Sequence, residues 1–209
     1  MKFAFFSASL FVSGIAAAAT PVNGWYSSIF GGYAHVSQKV STTILGYTFS
    51  ETFNNNGFNA GLRLGYQSNP IRYELEYTYI QPENKEFDFG FLELERKSHA
   101  NVGMANIYYD FSDGLLPTIY PFLGVGIGYA YAQDKLTGTG PIGGTFLDVK
   151  KGVFAYQGTA GLTFNFEENW ALNASYRYLA TSNKHDFGSL QVQMGDVGIV
   201  YRFDHCDYK

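Results

Sequence analysis

In six separate stretches of this chain apolar and polar residues alternate with a period of two, and no Asp, Glu, Lys or Arg stands on the apolar side of any of them. In residues 58–66 one side carries Phe58, Ala60, Leu62, Leu64 and Tyr66, and the other Asn59, Gly61, Arg63 and Gly65. Residues 71–79 set Ile71, Tyr73, Leu75, Tyr77 and Tyr79 against Arg72, Glu74, Glu76 and Thr78. The same pattern returns in residues 123–131, 154–166, 170–178 and 197–203. Alternate side chains of a strand point to opposite faces, so each stretch reads as a strand with one face free of charge. Two less regular stretches, 24–38 and 98–111, bring the count to eight. Gly31-Gly32 in the first predicts a bulge or a tight bend.

Connections of two lengths join these strands. Short turns fall at Ser68-Asn69-Pro70, at 112–117 and at Glu167-Glu168-Asn169, each with turn-forming residues. Long polar or Gly-rich connections are expected over 39–56, 81–97, 134–151 and 181–189. Short turns at one end and long loops at the other are how membrane barrels are built, and strands of about 9–11 residues suffice to cross a bilayer at a tilt. A soluble barrel or sandwich would turn its polar residues to water and its apolar ones inward. Here the polar side is rich in Gly, Ser, Ala and balanced charges, and the apolar side carries aromatics at two levels. Tyr66, Phe164, Phe166, Trp170, Tyr201 and Phe203 lie near the short turns, and Tyr77, Tyr79, Tyr129, Tyr131, Phe154, Tyr176 and Tyr178 near the long loops. Amphipathic rings at two levels mark the boundaries between hydrocarbon and headgroups. The expected fold is therefore all-β, a single eight-stranded antiparallel up-and-down transmembrane β-barrel.

Composition excludes other classes. Charged residues make up only 15% and the net charge is -4, which opposes a phosphate-seeking nucleic-acid surface. One cysteine, Cys206, supports neither an internal disulfide framework nor a zinc cage. Lys2, an apolar run from 3 to 16 and Ala17-Ala18-Ala19 read as a secretory signal with a small-residue cleavage site. The expected organisation is a signal peptide at 1–19, a barrel at 20–203 and a short periplasmic tail at 204–209.

Several motifs carry a family resemblance. They are Met104-Ala105-Asn106-Ile107-Tyr108-Tyr109-Asp110-Phe111, residues 120–128, Tyr156-Gln157-Gly158-Thr159-Ala160-Gly161 and Asn173-Ala174-Ser175-Tyr176-Arg177-Tyr178. In their order they resemble the opacity-type, OmpA-like outer-membrane barrels. The final octet, Asp196 to Phe203, is similar to the signal read by the barrel assembly machinery, polar-x-Gly-x-x-aromatic-x-Phe, with Asp196, Gly198, Tyr201 and Phe203 at its marked positions. The chain departs from the pattern in continuing for six residues beyond Phe203. The resemblance implies a cell outer-membrane surface protein and porin-family antigen that serves envelope integrity and adhesion through four external loops. Its implied partners are outer-membrane lipid and lipopolysaccharide, the assembly machinery and host or cell-surface ligands. No nucleic acid, cofactor or metal is expected, and the chain is expected to be monomeric.

Candidate sites follow from the faces. An eight-stranded lumen is narrow enough for side chains to fill. Arg63, Arg72, Arg177 and Arg202 share it with Glu74, Glu76, Asp110 and Asp196, and these should pair, since an unpaired buried charge costs several kcal/mol. The alternative function is a small porin-like channel through that network. A more remote one is a lipid A-modifying enzyme using His35 with Ser37, His99 or His185, although no acid is placed to orient an imidazole. A girdle is expected from Tyr66, Tyr77, Tyr79, Tyr129, Tyr131, Trp170, Tyr176 and Tyr178. Apolar residues in the 81–97 connection mark either a contact surface or strands that continue past the membrane as a hairpin.

Overall fold

The computed structural model describes residues 23–44, 47–83, 85–88, 93–111, 118–139, 144–182 and 190–203. The expected signal peptide, the tail with Cys206 and His185 lie outside them. Nine strands form the sheet: β1 (Gly24–Ile44), β2 (Tyr47–Ser68), β3 (Ile71–Pro82), β4 (Lys85–Asp88), β5 (Glu93–Asp110), β6 (Ile119–Thr139), β7 (Gly144–Asn165), β8 (Trp170–Thr181) and β9 (Leu190–Arg202). All neighbours pair antiparallel, and β1 pairs with β9. The circuit closes where β3 pairs with β5, from Ile71 opposite Tyr109 to Ile80 opposite Ala100. The four-residue β4 takes over the place of β3 on the upper part of β5. Eight strands thus surround one lumen, and closure leaves no backbone edge in hydrocarbon, where an unpaired N–H or C=O costs several kcal/mol.

The pleat sorts residues as the alternation predicts. Along β3 burial alternates strictly from Arg72 to Thr78, with arginine and glutamates inside and tyrosines and leucine outside. Large apolar side chains are exposed around the whole circumference, Leu75 at 65% and Val125 at 63% among them. No helix of the described residues is long and apolar enough to cross a membrane. The crossing belongs to the strands.

The structure corrects the boundaries. Strands run 12 to 22 residues apart from β4, and most of the expected long connections are paired ladder. Residues 39–44 pair with 47–52, and residues 134–138 with 144–149 across a register shift at Leu136/Thr137. The continuation of 81–97 as a hairpin is realised in Lys85–Asp88 on Glu93–Arg96. Beyond the membrane both faces of a ribbon meet water, so no two-faced pattern is imposed and the strand leaves no periodic trace. Gly31-Gly32 is not a bulge: register runs unbroken through Gly31 opposite Ala60 and Gly32 opposite Asn59. Gly32 faces the lumen where a Cβ would stand 2.7 Å from the Asp196 carboxylate, so space, not bending, requires glycine there. The last strand begins at Leu190 and not at 197, because Leu190, Val192 and Met194 turn apolar groups inward and spoil the alternation of solvents.

Candidate functional site

The lumen is filled in layers, and each layer follows from which residues of successive strands share a height. At the short-turn end Arg72 lies 3.2 Å from Asp110, whose other oxygen accepts from Gln67 at 3.3 Å. The Arg72 guanidinium faces Tyr108 at 4.7 Å and Phe122 at 4.8 Å, with Tyr26 further off at 5.8 Å. Aromatic faces attract a desolvated guanidinium by about 2 kcal/mol, which helps hold a charge that is 5% exposed. Arg202 differs from the expected pairing: its Nη2 donates to Asn165 Oδ1 at 2.7 Å, and no ion pair to it occurs among the described residues.

Above this lies the main network. Glu74 accepts from the hydroxyls of Tyr26 (2.7 Å) and Tyr108 (3.1 Å), and Arg63 Nε stands 3.5 Å away. Arg63 Nε donates to Glu76 at 2.9 Å. Arg177, with 0% of its side chain exposed, is the hub. Its Nη1 pairs with Glu76, and its Nε donates to Asp196 Oδ2 at 2.5 Å. Thr78, Asn59 and the Met194 sulfur accept its remaining N–H groups at 3.2, 3.3 and 3.6 Å. The guanidinium carbons of Arg63 (3.9 Å) and Arg177 (4.6 Å) both lie over the Phe30 ring. Four arginines and four carboxylates therefore share the described lumen, and most are engaged by a counter-charge, a hydroxyl or a ring.

Space for these side chains comes from glycines on the neighbouring strand. Phe30 lies over Gly61, its partner in register, and Asn106 over Gly126, likewise its partner. A Cβ at Gly61 would stand 2.8 Å from the Phe30 Cε1. Large-on-small pairing of this kind lets one barrel cross-section hold an aromatic ring and two guanidinium groups.

The lumen changes character from Met194 and Met104, the register partners of Arg177 and Glu76, toward the long hairpins. Ala34, Ile80, Val102, Met104, Ala130, Ala155, Leu179, Val192 and Met194 form a single buried apolar cluster on the long-hairpin side of the charges. Sequence reasoning gave the lumen charges with small and polar residues and missed this layer. A signal was present: residues 98–104 alternate poorly because Val102 and Met104 face inward while Gly103 faces out. Tyr108 lies inward with Asn106 and Asp110, as its parity predicts, whereas the lumenal Tyr26, Phe30 and Phe122 were overlooked.

The outer surface holds the expected aromatics in two bands. At the short-turn end Trp25 meets Tyr66 (5.4 Å between ring centroids), Trp170 meets Tyr201 (4.8 Å) and Tyr201 meets Phe203 (5.4 Å). At the other end Tyr77 donates to Asn101 (2.6 Å), Tyr79 to Gln81 (3.3 Å) and Tyr176 to Gln193 (3.1 Å), while Tyr129, Tyr131 and Tyr178 project from β6 and β8. Of the terminal octet, Asp196 is bound to Arg177, Gly198 lies against Phe30, and the Phe203 N–H donates to the Trp25 carbonyl at 3.0 Å. His35 is bound to Asn56 (2.7 Å) and Ser37 to Asn54 (2.9 Å), so each faces a carboxamide of β2 and not the other. His99 packs on Tyr79 at 6.0 Å between centroids. Among the described residues no cluster of His, Cys, Asp and Glu could hold a metal ion.

A closed barrel with a lipid-facing apolar wall, two aromatic bands and a filled polar core is an integral protein of an outer membrane. The chain matches the family model for the outer membrane protein beta-barrel domain over residues 4–203 and belongs to that family. Solved structures align with the chain over most of its length. Neisserial surface protein A aligns with a TM-score of 0.61 at 19% identity, over 86% of this chain and 97% of that one. Ail, the attachment invasion locus protein of Yersinia pestis, solved with a heparin analogue, aligns at 0.47 and 22% identity over 86% and 99%. The N-terminal barrel of Pseudomonas aeruginosa OprF aligns at 0.45 and 15% identity over 85% and 97%. A comparison with curated proteins finds no match. The protein is thus an outer-membrane surface barrel, located in the cell outer membrane.

Proposed function

We propose that this barrel is a non-conducting stem that stiffens the outer membrane and carries rigid hairpins to partners outside the cell. The observation that supports this reading is the order of layers. The charge network around Arg177 is capped by the apolar cluster of Ile80, Val102, Leu179 and Met194, and the β1–β2 and β6–β7 ladders continue beyond that cap. Paired charges resist separation in a narrow lumen, and an apolar constriction excludes water and ions. Long ladders hold whatever their tips present at a fixed distance from the lipid, which favours contact with macromolecules over transport.

Vesicles carrying the full chain test the contact role by their adhesion to cultured cells. Replacing residues 40–51 by a two-residue Asn-Gly turn shortens the first hairpin while leaving its membrane-level pairing in place. Adhesion that falls at least severalfold, with the gel shift between unboiled and boiled protein retained, supports the reading. Undiminished adhesion after shortening each of the tall hairpins in turn contradicts it.

A further inference from the structure

The lipid-facing wall is not uniformly filled. On β7 the outward positions 158 and 160 are Gly and Ala, flanked by Leu123 and Val125 on β6 and by Tyr176 and Tyr178 on β8. Large groups on both sides of two small ones open one part of a shallow hollow in the outer face that runs on to Ile107, Tyr109 and Ile71, about 700 Å³ in all. A Cβ built on Gly158 meets no atom within 4 Å, so nothing from the barrel enters that space. Register then carries the same row out of the apolar zone. Gly158 is paired with Tyr178, Tyr178 with Gln193, Gln193 with His35 and His35 with Asn56. Strand tilt makes such a row climb toward the hairpin end, so it passes from a hollow in the hydrocarbon, through the upper aromatic band, to a carboxamide and imidazole step.

We propose that the hollow and this step together bind one outer-leaflet glycolipid, with an acyl chain lying over Gly158 and Ala160 and sugar hydroxyls hydrogen-bonded to Gln193, His35 and Asn56. The hollow is open to the bilayer and lined almost wholly by carbon, which suits a hydrocarbon chain. Carboxamides and an imidazole both donate and accept, which suits hydroxyls better than a phosphate alone. The Tyr176 hydroxyl fixes Gln193 by its Oε1 at 3.1 Å, so that bond leaves the amide N–H groups of Gln193 for a ligand. His35 is similarly held by Asn56 at 2.7 Å. The site rests on the membrane orientation and is independent of the hairpin contact role, so either can fail alone.

Native mass spectrometry of the refolded full chain in detergent micelles, titrated with purified rough lipopolysaccharide and separately with phosphatidylethanolamine, tests the site. The wild type is expected to retain one lipopolysaccharide molecule and to hold phosphatidylethanolamine more weakly. Gly158→Leu, which fills the hollow, should weaken lipopolysaccharide retention by roughly tenfold or more. Gly103→Leu is the control: Gly103 also faces lipid with nothing within 4 Å of a built Cβ, but it lies between Tyr77 and Tyr129, away from the hollow. It should bind as the wild type does. His35→Ala/Gln193→Ala should weaken lipopolysaccharide and leave phosphatidylethanolamine unchanged, and it keeps the test decisive should Gly158→Leu fail to fold. Equal retention by the wild type and Gly158→Leu, equal loss in Gly103→Leu, or equal affinity of the wild type for both lipids overturns the proposal.

Discussion

Replacing Arg177 by Met removes one charge from the hub while keeping the length of the side chain. Glu76 retains Arg63 at 2.9 Å, but Asp196 is ion-paired only with Arg177 among the described residues. The variant therefore leaves a carboxylate that is 3% exposed without a counter-charge. Stranding one member of a buried pair costs about 3–5 kcal/mol, or roughly two to four powers of ten in the unfolding equilibrium. Arg177→Met/Asp196→Asn removes both members and restores equal numbers of positive and negative groups in the described lumen. It should recover about 1–3 kcal/mol of that loss, the usual range of coupling between groups in contact. Urea unfolding of the barrel in lipid vesicles, followed by tryptophan fluorescence and by the gel shift, measures both quantities. A single variant that costs less than about 1 kcal/mol, or a double variant whose effect is the sum of its parts, refutes the assignment of Arg177 as the hub.

Three further outcomes are expected. Leu75→Arg puts a charge on the lipid face and should cost about 2–4 kcal/mol in vesicle-based unfolding, whereas a wall facing water would tolerate it. Gly61→Leu drives a side chain into the Phe30 ring and the neighbouring backbone, and overpacking of that kind should cost about 1–3 kcal/mol or abolish the gel shift. His35→Ala should leave the acylation pattern of lipid A unchanged on mass analysis, since the described partner of the imidazole is Asn56 and not Ser37. An altered pattern would restore the enzymatic reading.

Within the membrane the architecture was readable from residues, because hydrocarbon outside and a crowded lumen inside impose opposite demands on neighbouring positions. Leu75 and Glu76 differ by one residue and lie 65% and 4% exposed. The same logic placed Arg63, Arg72, Glu74, Glu76, Arg177, Asp196 and Arg202 on one face. It failed wherever that contrast is lost. Residues 39–44 pair with β2, yet Lys39-Val40-Ser41-Thr42-Thr43-Ile44 carries no two-faced alternation, and they read as loop. The apolar lumen layer failed because its contrast is reversed or absent: Val192 and Met194 face inward beside an outward Gln193, and Leu179 faces inward beside an outward Tyr178. Which arginine serves as the hub was also out of reach. Pairing of Arg177 with Glu76 spans 101 residues and depends on a register that only the closed circuit sets.

Planar-bilayer recording with the full purified chain tests most directly the central claim that stacked charge and apolar layers close the lumen. The expected trace shows no unitary steps above the lipid baseline, and Leu179→Ala/Met194→Ala, which thins the apolar cap, raises the frequency of openings. Stable steps of uniform size in the wild type, lost on Glu76→Gln, would show an ion path through the network and contradict a solid stem.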